Sequence, residues 1–150
     1  MINLQVKRKI KLPVQKSILL HAAQLTLDLE NITSESSLSV VIGDDLLLKK
    51  LNLQYRGINT TTDVLSFPSN ERDPDTNLQY LGDVVISLPR AELQASIGGH
   101  PLVEELQLLV VHGTLHLLGY DHLIGTEKKK MRAAQERVLN QLGVPIVVKL

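Results

Sequence analysis

The chain has no cysteine, so it can form no disulfide framework and no thiolate metal site. It has no Trp and one Phe, Phe67, with Tyr55, Tyr80 and Tyr120 completing the aromatics. A core must therefore come from Leu, Ile, Val and Ala, which favours helices packed on a sheet over an aromatic-rich barrel. There is no excess of charge of either sign: 16 basic residues balance 16 acidic ones. A strongly basic chain would signal a nucleic-acid partner; here any such binding has to come from a local patch. No stretch reaches the roughly 18 apolar residues of a membrane span, and MINLQVKRKI lacks the apolar stretch of a signal peptide. A soluble cytoplasmic protein without membrane contact is expected.

What is present is a mixture of two periods. Its 150 residues, 43% of them hydrophobic, suit one domain, 1–150. Ile2, Leu4 and Val6 alternate with polar residues as in a strand with one buried face. Pro13 opens a helical pattern through Leu29, and Ser37–Ile42 reads as a second strand. Gly43 breaks it and Asp44 caps a helix carrying Leu46, Leu47 and Leu51. Asp63–Phe67 reads as a strand stopped by Pro68, and the polar 69–77 segment as a flexible loop. Tyr80–Leu88 is a fourth strand; Pro89 begins a helix ending near Gly98 and Gly99. Val103–Leu118 is the most apolar helix, and Thr126 caps a last one ending near Gly143. The tail PIVVKL is unassigned. The expected fold class is α+β: a single compact domain with a small mixed sheet of about four strands and helices packed on it.

Three of the five histidines fall within HGTLHLLGYDH. His112 and His116 are four apart on a predicted helix, so they project from one face, one turn apart. Gly119 then ends the helix and lets the chain bring back His122. A single isolated histidine would more often be a core residue, but burying two adjacent imidazoles in a Leu/Val helix is costly without a shared partner. Three neutral imidazoles with an open fourth position describe a catalytic zinc-type site, one ion per chain. The spacing H-x-x-x-H-x-x-G-x-x-H is zincin-like, with one difference: the Glu that serves those proteases as general base is Gly113 here.

The motif HGTLHLLGYDH, with LNLQYRG (51–57), TDVLSFP (62–68) and GDVVIS (82–87) in order, resembles the YbeY family of bacterial metal-dependent endoribonucleases. The resemblance covers most of 45–140. It implies a compact α+β domain and one Zn(2+) on His112, His116 and His122. It also implies cleavage of single-stranded RNA, maturation of the 3′ end of 16S rRNA, and quality control with the ribosomal small subunit. One departure stands out: Thr61 replaces the usual proline before TDVLSFP, which should alter loop stiffness.

Other candidates carry open alternatives. Arg56, before Gly57 in a loop, has a donor fork suited to phosphate, or is a solvated arginine. Asp83, in an apolar strand, orients a ligand histidine or faces solvent. Asp121 serves as a base or, more simply, makes the turn before His122. Thr62 and Ser66 are lesser phosphate partners, and Tyr55 and Phe67 the only stacking platforms near the site, with Phe67 better suited to the core. His21 and His100 have no spacing partners. The basic runs Lys7–Lys9 with Lys11, and Lys128–Lys130 with Arg132, are solvated faces unless they flank the cleft. Two rivals stand beside the nuclease: another metallohydrolase acting on peptide or ester, and a non-catalytic ribosome-assembly factor with a structural metal.

Overall fold

In a computed structural model, which describes residues 1–32 and 35–146, the two periods resolve into four strands and five helices. The order is β1 (Ile2–Val6), α1 (Lys16–Leu29), β2 (Ser36–Gly43), α2 (Asp45–Arg56), β3 (Val64–Pro68), β4 (Gln79–Ser87), α3 (Leu88–Gly98), α4 (Leu102–Leu117) and α5 (Gly125–Leu142). The last four residues of the unassigned tail lie outside the described residues.

The sheet order is β1-β2-β4-β3, with β1, β2 and β4 parallel and β3 antiparallel at the edge. This is the small mixed sheet expected of a single α+β domain. Side chains alternate across it and feed two cores. Leu38, Val40, Ile42, Val84 and Ile86 join the main core with α1, α3, α4 and α5. Leu65 and Val85 pack with Leu48 of α2 on the opposite face. The inner strands β2 and β4 are thus covered on both faces, which explains their nearly unbroken apolar runs. Helix α4 is the hub, touching α1, α3, α5, β3 and β4.

Two expected helix starts move. Helix α1 begins at Lys16, not near Pro13, and its N-cap Gln15 makes no side-chain capping bond. Residues 13–15 lead into the helix, which packs on β1. Thr126 lies inside α5, whose N-cap is Ile124. The connection from α4 is short, so α5 has to start as soon as it clears the turn. Asp44 caps α2 as expected, accepting from Leu47 N at 2.9 Å. The 69–77 loop is polar as expected but closed by its own turns: Asp73 Oδ1 accepts from Asp75 N and Thr76 N.

Candidate metal centre

Helix α4 carries His112 and His116, and its end returns the third histidine. The chain there forms a Schellman turn. Gly119 has φ +99°, its N–H reaches His116 O at 3.0 Å, and Tyr120 N reaches Leu115 O at 3.1 Å. Tyr120 OH donates to Oε1 of Glu30, the C-cap of α1, at 2.5 Å, fastening the turn across the domain. This bond to a carboxylate, together with burial, pushes the Tyr120 phenol up to about 12. Asp121 Oδ1 accepts from Leu123 N at 3.0 Å, so Asp121 makes the turn that presents His122.

The three rings converge, with centroids 4.6, 5.0 and 5.5 Å apart. One nitrogen from each lies within 4.8 Å of the others. Their tautomers follow from their outer partners. His112 Nδ1 meets Gln135 Oε1 at 2.6 Å, and His116 Nδ1 meets the Tyr120 carbonyl at 2.8 Å. Both partners are oxygens that only accept, so both Nδ1 atoms carry the proton. The two Nε2 atoms, 3.1 Å apart, therefore face each other as bare lone pairs and cannot hydrogen-bond. Tetrahedral zinc with Zn–N near 2.0–2.1 Å sets its ligand nitrogens about 3.3 Å apart. The His112–His116 separation is close to that spacing, and together His112, His116 and His122 could hold a metal ion.

Charge in the site points the same way. Burial, then the neighbouring His116 ring, lowers the His112 pKa to about 4. Burial lowers that of His116 as well, and the nearby Arg56 charge adds to the effect. Both shifts favour the neutral imidazole a metal requires.

The histidines line a cleft of about 560 Å³ with Tyr55, Arg56, Thr62, Asp63, Ser66 and Asp121. Arg56 is the last residue of α2, not a loop residue: Gly57, at φ 70°, ends the helix behind it. Ser66 Oγ donates to Gly113 O at 2.8 Å, so its proton is committed to α4 and unavailable to a phosphate. Tyr55 is 62% exposed and stands edge-on to Phe67 with centroids 5.2 Å apart. Phe67 lines the cleft and also packs against the smaller core. Thr61 Oγ1 donates to Asp45 Oδ1 at 3.2 Å, a bond no proline could make there.

Asp83 lies elsewhere. Strand alternation turns Val84 toward α4 and Asp83 away from it, into a second groove with Lys7, Val41 and Leu51. Its carboxylate accepts from Tyr80 OH, and the ligand histidines are oriented by Gln135 and Tyr120 instead. Burial, then this bond, pushes the Tyr80 phenol up to about 12. Of the histidines set aside, His100 bonds Glu105 at 2.6 Å near the start of α4.

Sequence reasoning missed two residues. Gln135 is fully buried among Met131, Ala134, Val138 and Leu139 on the inner face of α5. A lone amide at an apolar helical position was the available signal. Asp63 lies on the cleft, its Oδ1 accepting from Val64 N at 2.7 Å, close enough for its charge to act on His112. The only signal for it was its place in TDVLSFP.

Gly113 separates this site from a zinc protease. A Cβ there would meet Val84 Cγ1 at 2.4 Å and Ser66 Oγ at 3.2 Å. The position presses on β3 and β4, and the sheet occupies the space a catalytic Glu would need.

A mixed sheet under a three-imidazole centre, lacking the protease base, defines a metal-hydrolase class other than the zinc peptidases. Within it the comparisons are specific. The family model "Endoribonuclease YbeY" matches residues 1–143. An endoribonuclease YbeY from Pelotomaculum thermopropionicum is 47% identical over 130 residues, 85% of this chain and 86% of the relative. One from Roseiflexus sp. is 38% identical over 149 residues, 95% of this chain and 93% of the relative. The solution structure of TM1509 from Thermotoga maritima superposes with a TM-score of 0.57 at 26% identity, covering 94% of this chain and 91% of that one. The chain belongs to the endoribonuclease YbeY family.

Proposed function

We propose that the protein is a zinc-dependent endoribonuclease specific for single strands. It acts in the cytoplasm on the 3′ end of 16S rRNA and in quality control with the ribosomal small subunit. The observation that carries the chemistry is the pair of Nε2 atoms of His112 and His116, 3.1 Å apart beside His122, opening on a cleft that Arg56 lines. Family membership supports RNA as the substrate, and the rRNA and ribosomal assignments rest on that likeness. Among the described residues no helix is long and apolar enough to cross a membrane.

An ion held by His112, His116 and His122 would supply Lewis acidity toward a phosphoryl oxygen and toward water. Three neutral imidazoles leave its charge uncancelled, which suits an anionic phosphodiester. Arg56 offers a guanidinium to the phosphate from the rim. Asp121 holds the turn of His122. Tyr55 presents an exposed ring on which a neighbouring base can stack, and a cleft wall that engages bases selects unpaired strands. A peptidase lacks support because position 113 has no room for its base.

Cleavage of one RNA offered as a single strand and as a duplex, by zinc-loaded wild type and His116→Ala, tests this reading. Wild type should cut the single strand preferentially, and His116→Ala should lose at least about a hundredfold in rate, as for loss of a main electrostatic contributor. Equal rates for the two proteins would refute it.

A further inference from the structure

The buried amide of Gln135 is explained neither by packing nor by hydrogen-bond economy. Gln135 is fully buried on α5, 23 residues from His112 in sequence. Its Oε1 accepts a hydrogen bond from His112 Nδ1–H at 2.6 Å, while its Nε2 is buried with no partner. A side chain present only to fill space would be apolar, as Met131, Ala134, Val138 and Leu139 around it are. Leaving a buried N–H₂ unpaired is unfavourable, so the amide is held for its oxygen.

We propose that Gln135 is the positioning residue of the metal centre: it fixes His112 in the Nδ1–H tautomer and so aims the Nε2 lone pair at the ion. The inference rests on the metal reading of the three histidines. An acceptor behind a ligand imidazole sets ring orientation and raises ligand basicity. Because Gln135 is neutral, it orients the ring without adding an anion, and the full charge of the ion is kept for a phosphate substrate. The backbone carbonyl of Tyr120 does the same for His116. Both outer partners are thus uncharged, and one of them is a side chain open to substitution.

The test uses full-length wild type, Gln135→Leu and Gln135→Glu. Zinc affinity is read by competition with a chelator, thermal stability on the metal-free proteins, and the His112 tautomer by nitrogen NMR on the metal-free proteins. Gln135→Leu should bind zinc about 10–100-fold more weakly and lose the fixed Nδ1–H tautomer, with cooperative melting of the metal-free protein showing that it still folds. Gln135→Glu, which keeps an accepting oxygen, should bind zinc at least as tightly as wild type. Unchanged zinc affinity and tautomer in Gln135→Leu would overturn the proposal, as would weaker zinc binding by Gln135→Glu. Should Gln135→Leu fail to fold, Gln135→Glu decides by affinity alone. If wild type binds no zinc, the metal reading fails, and the tautomer comparison still decides what Gln135 does.

Discussion

Single side chains decide what this site can do, and Gly113 decides most. It follows the first ligand histidine directly and rests against Val84 and Ser66. Replacing it with Ala should destabilise the fold by about 1–3 kcal/mol, the range for overpacking, measurable by urea denaturation. Gly113→Glu should fail to create peptidase activity. The sequence showed that a base was missing; only the structure shows that the sheet excludes it. Titration is a second effect at this scale. In the folded, metal-free protein the His112 pKa is lowered to about 4, against an ordinary 6.5. Above pH 6.5 the ring is neutral folded or unfolded and costs nothing. Between 6.5 and 4 the unfolded chain takes up a proton that the folded ring refuses, so stability falls as pH falls. Denaturation of the metal-free protein at pH 7 and pH 5 should show this loss, and His112→Ala should reduce it. Lowered His116 acts in the same direction.

Elements turn these side chains into a site. Helical spacing alone puts His112 and His116 side by side, so this half was legible from sequence. His122 depends on the turn at Gly119, whose φ of +99° disfavours any side chain. Gly119→Val should cost about 1–2 kcal/mol in that left-handed region. Zinc affinity should fall with it, because the turn also delivers the Tyr120 carbonyl to His116. Equal zinc affinity in Gly119→Val would show that the turn does not place the ligands. The strands were legible through their alternation, and alternation also explains what was misassigned. Asp83 precedes Val84, which faces α4, so it is turned into the other groove. Helix starts were less legible. Neither Gln15 nor Ile124 gives a side-chain cap, and Pro13 and Thr126 carry start signals that the packing of α1 and α5 overrides.

Across the whole molecule, the fold class was readable because two periods and few aromatics leave little besides helices on a sheet. The strand order was not, since β2 passes over β3 to pair with β4. The link between α5 and the centre was also hidden: Gln135 meets His112 only after α5 folds back on α4. Zero net charge fits a protein that does not hold nucleic acid through overall charge. Under the proposed function, recognition is concentrated at the cleft, where His112, His116, His122, Arg56 and Tyr55 lie together.

The most direct measurement is X-ray absorption at the zinc edge of the loaded, full-length protein. Three imidazole nitrogens and at least one exchangeable oxygen donor are predicted. Two or fewer imidazoles, or a fourth donor from the protein closing the shell, would contradict a catalytic centre on His112, His116 and His122.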